Sequence, residues 1–436
     1  MNRNIVLASI AIAASLLLSA RFATAFPSRR MSVFVPQSSV EKPGDVGLRV
    51  HTDIEVAVPP QAAFAGKAGE PQSLAMHENP DQVEPLLPPV PNLFFETPAS
   101  LGCVYHLVSP LVAGCNPNVV TAVPSGGSRA IAVVDAYDDP TALSDLRAFS
   151  TQFGLTPIER GNFQVIFAGG SRPPVDGTGG WELEEALDTE WAHAFAPAAK
   201  LFLVEAKSSS LPDILMAEDV ASAQVAAAGG GEVSNSWGSS EFLGETAFDT
   251  HFKKSTVVYF AESGDAPGVQ YPAASPFVVA TGGTSTTRTP SGSFFREVAW
   301  QDAGGGVSSF EPRPQFQNPI SAIVGTRRGT PDVSFDSSPA TGVWVFATPA
   351  GPATAGWYVV GGASVAAPTW AAIVNSAGHF FANTAAELTT VYNNRAVSAD
   401  FRDIILGNCG PYGTQFAVVG YDLCTGVGSN QGKAGK

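Results

Sequence analysis

Charge is scarce in this chain, and positive charge scarcest. Only 14% of the 436 residues are Asp, Glu, Lys or Arg, and 24 Lys and Arg face 39 Asp and Glu. A net charge of −15 repels phosphate backbones, so nucleic acid is not an expected partner. No apolar run is long enough for a comfortable bilayer crossing; the N-terminal one, from Ile5 to Ala20, falls short. Histidine is rare, with six residues, and none stands in an HGTH-like stretch that would support a Ser-His-Asp triad. Cysteine is limited to four, with no CxxC and no nearby histidine pair, which leaves a zinc site without ligand spacing.

What is present reads as an exported globule. Arg3, the apolar run and Ala23-Thr24-Ala25 form a secretory signal over residues 1–25, so the mature protein is expected outside the cytoplasm, secreted or periplasmic. After cleavage it is expected to have no membrane contact and to be a monomer. The four cysteines suit that compartment and pair naturally as Cys103–Cys115 and Cys409–Cys424. Residues 26–96 are rich in proline, alanine and polar residues (VPPQAAFAGKAGEPQ, EPLLPPVPN) and read as an extended leader or short pro-segment, not a packed domain.

From Ala130 short apolar runs alternate with helical patterns. AIAVVDAY, FQVIFAGG, KLFLVEA, EVSNSWG and TVVYFAESG read as strands. PTALSDLRAFSTQF, WELEEALDTEWAHAFA, LPDILMAEDVASAQVAAA and ETAFDTHFKK read as helices. That order implies an α/β fold, a mostly parallel, doubly wound sheet with helices on both faces. Ligands of such sheets bind beyond the carboxyl ends of the strands, where Asp135, Trp237, Asp265 and Ser364 fall.

Ser364 lies in GGASVAAPTWAAI, between a glycine turn and a helical run. A nucleophilic serine and a helix N-cap look alike at this level, and the deciding feature is a base. His51 and His77 lie in the leader and His106 inside the first cysteine loop. His251 is in a polar helix, and His379 lies far along the helix that Ser364 begins. His193 shares a helix with Glu184 and Asp188 but is turned about 180° from Glu184 and about 140° from Asp188. Glu184 and Asp188, four apart, share a face; so could Glu185 and Asp188, and geometry alone does not separate the two glutamates. A buried carboxylate pair would share a proton and could accept the serine proton in acid. A third acid, Asp265 in SGDAPG, could donate to a developing oxyanion if protonated.

Together these residues resemble the sedolisin family, the serine-carboxyl peptidases of subtilisin-like fold. The similarity runs from about Thr97 to Gly432, so the peptidase domain is expected over residues 97–433. The resemblance assigns the base to Glu184 and its partner to Asp188, which settles the register, the oxyanion acid to Asp265 and the nucleophile to Ser364, with Pro368 downstream. Ala363 stands where the family has threonine. SNSWG resembles the substrate-lining strand (Ser236, Trp237, Gly238), and Asp135 occupies the place of an acid extending the network to the glutamate. FRDIILGNCG and FAVVGYDLCTGVG resemble a calcium loop, implying one structural ion held by Asp403 and Asp422 side chains and the carbonyls of Ile404, Val418 and Gly420. The implied activity is hydrolysis of polypeptides in acid through a serine acyl-enzyme. The alternatives are a Ser-His hydrolase using His193 and a non-catalytic exported protein on the same fold. The leader is shorter than the family's long folded propeptide.

Overall fold

The computed structural model describes residues 32–58, 94–159, 161–351, 354–410 and 415–436. The expected signal segment and the remainder of the leader lie outside the described residues. Among the described residues no helix is long and apolar enough to cross a membrane.

The principal sheet runs, from one edge to the other, through Phe401–Arg402, Ser429–Asn430, Val333–Asp336, Val279–Arg288, Val257–Glu262, Gly231–Asn235, Ala130–Ala136, Lys200–Ala206 and Phe163–Phe167. Its ladders from Phe163–Phe167 to Ser429–Asn430 are parallel, and Phe294–Ala299 adds an antiparallel arm. Strand Ala130–Ala136 is buried along its whole length. Ile131 and Val133 enter one apolar cluster, while Ala132 and Val134 enter the other. Burial on both faces explains why this strand reads as an unbroken apolar run, as parallel strands do.

Helix Leu211–Ala227 covers one face; helices Ala142–Phe153, Gly180–Phe195 and Ala366–Ala377 pack together on the other. The doubly wound expectation therefore holds. From Ala130–Ala136 the chain moves to one side of the sheet and then returns to lay Gly231–Asn235 on the other. The crevice between these neighbours is the switch point at which such sheets bind ligands.

Helix Gly180–Phe195 has no solvated face. The Asp176 carboxylate accepts from the Gly180 and Trp181 N–H groups at 3.1 and 3.2 Å and so starts the helix. Every residue in it is buried, five carboxylates included. Both disulfides, Cys103–Cys115 and Cys409–Cys424, form as the spacing suggested.

Three details depart from expectation. ETAFDTHFKK forms a 3₁₀ helix, Glu245–Phe252. Ser364, expected at a strand end of the parallel sheet, instead follows Gly356–Gly361, in a separate four-stranded antiparallel sheet ordered Ser32–Phe34, Glu55–Val58, Gly356–Gly361 and Val343–Ala347. That sheet also corrects the leader: within residues 26–96, the portion 32–58 is folded onto the body and not extended. Thr-Asp-Ile-Glu-Val-Ala-Val, from Thr52, carries a period-two pattern with β-branched residues, and it buries Ile54, Val56 and Ala57. At the far end packing continues past residue 433 to Lys436, whose ammonium donates to the Asp400 carbonyl at 2.9 Å.

Candidate active site

Strand Gly356–Gly361 ends at a glycine pair that turns into Ala363–Val365, and helix Ala366–Ala377 follows. Ser364 caps nothing there. Its hydroxyl donates instead to Glu184 Oε2 at 3.1 Å, across the gap between the helix it precedes and helix Gly180–Phe195. The capping alternative is thereby removed. One turn further along the same helix, Asp188 Oδ1 accepts from the Ser236 hydroxyl at 2.8 Å, and that hydroxyl also reaches the Ser364 carbonyl at 3.3 Å. Neither Glu185 oxygen has a hydrogen-bond partner among the described residues, whereas Glu184 meets Ser364, so the register falls on Glu184.

Glu184, Asp188, Asp135, Ser236 and Ser364 are all fully buried. Burial, followed by the charges of Asp188 and Asp135, pushes the Glu184 carboxyl well above its ordinary value. Burial and Asp135 push Asp188 the same way against the opposing Ser236 hydrogen bond. Asp135 is pushed up to about 8 by burial. Three acids this close in a dry site hold protons in common, and their titrations belong to the group. A group that shares its protons and keeps one carboxylate ionised can accept the serine proton.

Asp265 meets the chain at the residue before the serine. Its Oδ1 accepts from the Ala363 N–H at 2.5 Å, and its Oδ2 has no partner among the described residues. Burial, then the carboxylates of Asp53 and Glu55, push Asp265 well above its ordinary value, against the Ala363 N–H. A carboxyl kept protonated beside the Ser364 N–H can donate to negative charge developing on a carbonyl oxygen. His193 sits elsewhere, with Nε2 2.8 Å from the Thr156 carbonyl and its basicity lowered by burial. It does not meet Ser364.

Trp237 and Gly238 open strand Trp237–Ser240, which is separated from Gly231–Asn235 by Ser236 alone. Their partner was not foreseen: His51 pairs with Gly238 and Thr52 with Trp237, antiparallel. Asp53 follows at the serine, and its N–H donates to Ser364 Oγ at 3.3 Å. His51, set aside as a leader residue, is buried beside Asp53; burial lowers its pKa, but the Asp53 carboxylate, the Thr52 carbonyl and Glu41 together outweigh that and raise it to about 9. Glu262, at the end of its strand, was also missed; burial and then Asp53 push it well above its ordinary value.

The expected calcium ligands lie far along the chain. Asp403 Oδ2 accepts from the Gly420 N–H at 2.9 Å, and Asp422 Oδ2 from the Val418 N–H at 3.2 Å. Both carboxylates thus converge on one turn beside the Cys409–Cys424 bridge, with Ile404 buried nearby. Two carboxylates and backbone carbonyls are hard oxygen donors of the kind calcium takes, so the residue set fits that ion in kind. Among the described residues, no cluster of three or more His, Cys, Asp or Glu side chains forms a metal site.

Comparison with known proteins gives a consistent set. The chain is 32% identical over 338 residues to kumamolisin from Bacillus sp. (strain MN-32), covering 70% of this chain and 58% of that protein. It is 30% identical over 181 residues to sedolisin from Pseudomonas sp. (strain 101), covering 38% of this chain and 29% of that protein. The chain thus spans less than two thirds of the length of either relative. The solved structure of Pseudomonas sedolisin, a serine-carboxyl proteinase complexed with two molecules of pseudo-iodotyrostatin, superposes with a TM-score of 0.62 at 23% identity. That match covers 77% of this chain and 95% of the other, and it supports the subtilisin-like fold. No family model matches the chain.

Proposed function

This chain belongs to the sedolisin family, and from that premise we propose that it is an exported peptidase cutting polypeptides in acid through a Ser364 acyl-enzyme. One observation carries the reading: the Ser364 hydroxyl donates to Glu184 at 3.1 Å inside a fully buried carboxyl group, with His193 turned to Thr156.

In this mechanism Glu184 takes the Ser364 proton as Oγ attacks the scissile carbonyl carbon. Asp188, held by Ser236, shares the proton with Glu184 and keeps the glutamate oriented. Asp135 extends the same buried network. The Ser364 N–H and the protonated Asp265 carboxyl stabilise the oxyanion. Glu184 then protonates the leaving amine, and water, deprotonated by Glu184 in turn, hydrolyses the ester. Ser236, Trp237 and Gly238 line the cleft, where the strand edge can pair with an extended substrate.

Asp403 and Asp422, with the carbonyls of Ile404, Val418 and Gly420, would hold a calcium ion that neutralises the two acids and ties down the loop. No catalytic step passes through it. The chain would act as a monomer on polypeptides after export and signal removal.

The test is a pH series on a denatured protein substrate with the products sequenced. Cleavage rising toward acid, lost in Ser364→Ala and kept in His193→Ala, is the expected result. A rate peaking above neutral, or one abolished by His193→Ala in a folded variant, overturns the carboxyl mechanism.

A further inference from the structure

Two glycines bring an acid and an amide against the backbone of the cleft. A Cβ on Gly238 would lie 1.9 Å from Gln270 Oε1 and 2.7 Å from Glu262 Oε1, so only a residue without a side chain fits there. A Cβ on Gly264 would lie 2.7 Å from the nitrogen of the same Gln270 amide. Glu262 ends strand Val257–Glu262, just ahead of the turn that carries Asp265, and is fully buried.

Asp53 marks which part of a bound chain reaches this pair. With His51 and Thr52 paired to Gly238 and Trp237, the Asp53 carbonyl accepts from the Ser364 N–H at 3.3 Å. Residue 53 therefore stands where a substrate residue presents its carbonyl to the serine. The side chain at that position faces Glu262: after burial, the Asp53 carboxylate does most to raise the Glu262 carboxyl, with Asp265 behind it. The nearby cation, His51, lies 3.5 Å from Asp53 Oδ1 and is engaged by that acid.

The polar atoms gathered here are acceptors without donors. Both Glu262 oxygens, Gln270 Oε1 and Asp53 Oδ2 are buried and have no hydrogen-bond partner among the described residues. Unmet buried acceptors are costly, and a carboxylate most of all. A carboxyl and an amide oxygen side by side suit a planar cation with several N–H donors, and a guanidinium is such a group. An aliphatic side chain at the same position would leave every one of these oxygens unmet.

We propose that Glu262, with Gln270 beside it, is a specificity residue: it makes the site favour arginine, and lysine next, at the substrate position whose carbonyl Ser364 attacks. The inference rests on the peptidase reading above and deepens it by naming the side chain preferred at the cut.

The preference carries its own pH signature. The ionisable groups facing Glu262 are the acids Asp53 and Asp265, and with burial they keep it protonated in acid. Arginine pairs with the ionised carboxylate, so its binding releases that proton, whereas leucine releases none. Preference for arginine over leucine should therefore widen as pH rises, by at most about tenfold per unit.

The experiment gives the purified full chain two peptides that differ only in arginine or leucine at one internal position, with products identified by mass. The wild type should cut after arginine with kcat/KM about 10–100-fold above that after leucine. Glu262→Gln should bring the ratio below about threefold while cutting the leucine peptide within about threefold of wild type, because only the charged partner is lost. Gln270→Glu, which adds a second acid, should raise the ratio. Equal cutting after both residues, cutting elsewhere only, a ratio that narrows as pH rises, or an unchanged ratio in folded Glu262→Gln overturns the role of Glu262 and leaves the peptidase reading standing. Should Glu262→Gln fail to fold, an unchanged ratio in Gln270→Glu overturns it equally. A folded wild-type chain that cuts neither peptide, or cutting that survives in Ser364→Ala, overturns the peptidase reading, and this inference with it.

Discussion

Glu218 offers a sharp test of how acid shapes this molecule, because it stands apart from the candidate site. It is fully buried on the sheet-facing side of helix Leu211–Ala227, and its carboxyl is pushed from an ordinary value of 4.5 up to about 8. Burial is the main cause; hydrogen bonds from Asn235 and Ser222 oppose it, and Asp219 adds to it. In the unfolded chain Glu218 releases its proton above its ordinary value, whereas the folded chain keeps it until about 8. Between those limits the folded state binds the extra proton, so stability is greatest in acid and falls as pH rises. At pH 7 the loss is about 3 kcal/mol, from roughly 1.4 kcal/mol per pH unit over the gap. Urea unfolding of Ser364→Ala should show stability falling between about pH 4 and pH 7. Adding Glu218→Gln should shrink that fall by about 3 kcal/mol, whatever it does to stability in acid. An unchanged fall in the double variant refutes the reasoning, as does stability that rises with pH. Asp135, Glu205, Glu245 and Glu387 share the same sign, with values raised to between about 8 and about 9, so neutral pH should weaken the fold cumulatively.

Three further outcomes are open to measurement. Glu184→Gln preserves an acceptor for the Ser364 hydroxyl but cannot take its proton. Its kcat should fall about 10²–10⁴-fold with KM little changed, while Glu185→Gln keeps its kcat. Asp332 receives the Arg328 guanidinium through two contacts, one at 2.7 Å, and accepts the Tyr392 hydroxyl at 2.8 Å, all buried. Asp332→Asn leaves that cation unpaired and should cost about 3–5 kcal/mol in urea unfolding. Chelation of calcium should lower the melting temperature, and Asp403→Ala should remove the response to chelator; an equal response in the variant argues against this ion site.

The sheet was readable because buried parallel strands leave continuous apolar runs and the helices between them keep their period. Helix Gly180–Phe195 was readable as a helix, but not as a wholly buried one: five carboxylates in a row suggest solvent until the packing around them is known. Ser364 and Glu184 could be nominated separately, 180 residues apart, but their 3.1 Å meeting depends on how two helices pack. The segment around His51 was misread for a related reason. Proline-rich neighbours dominate its composition, while its own alternation spans too few residues to announce a strand that two distant strands complete.

The side sheet ending at Ser32–Phe34 has one more consequence. That three-residue strand shields the outer rim of Glu55–Val58, whose Val56 and Ala57 are apolar and buried. Were it stripped away, the uncovered rim would offer free N–H and C=O groups to any passing strand, another copy of this chain included. Solubility would then depend on how much of the first fifty residues each molecule still carries, and clumping would report trimming history as faithfully as any gel.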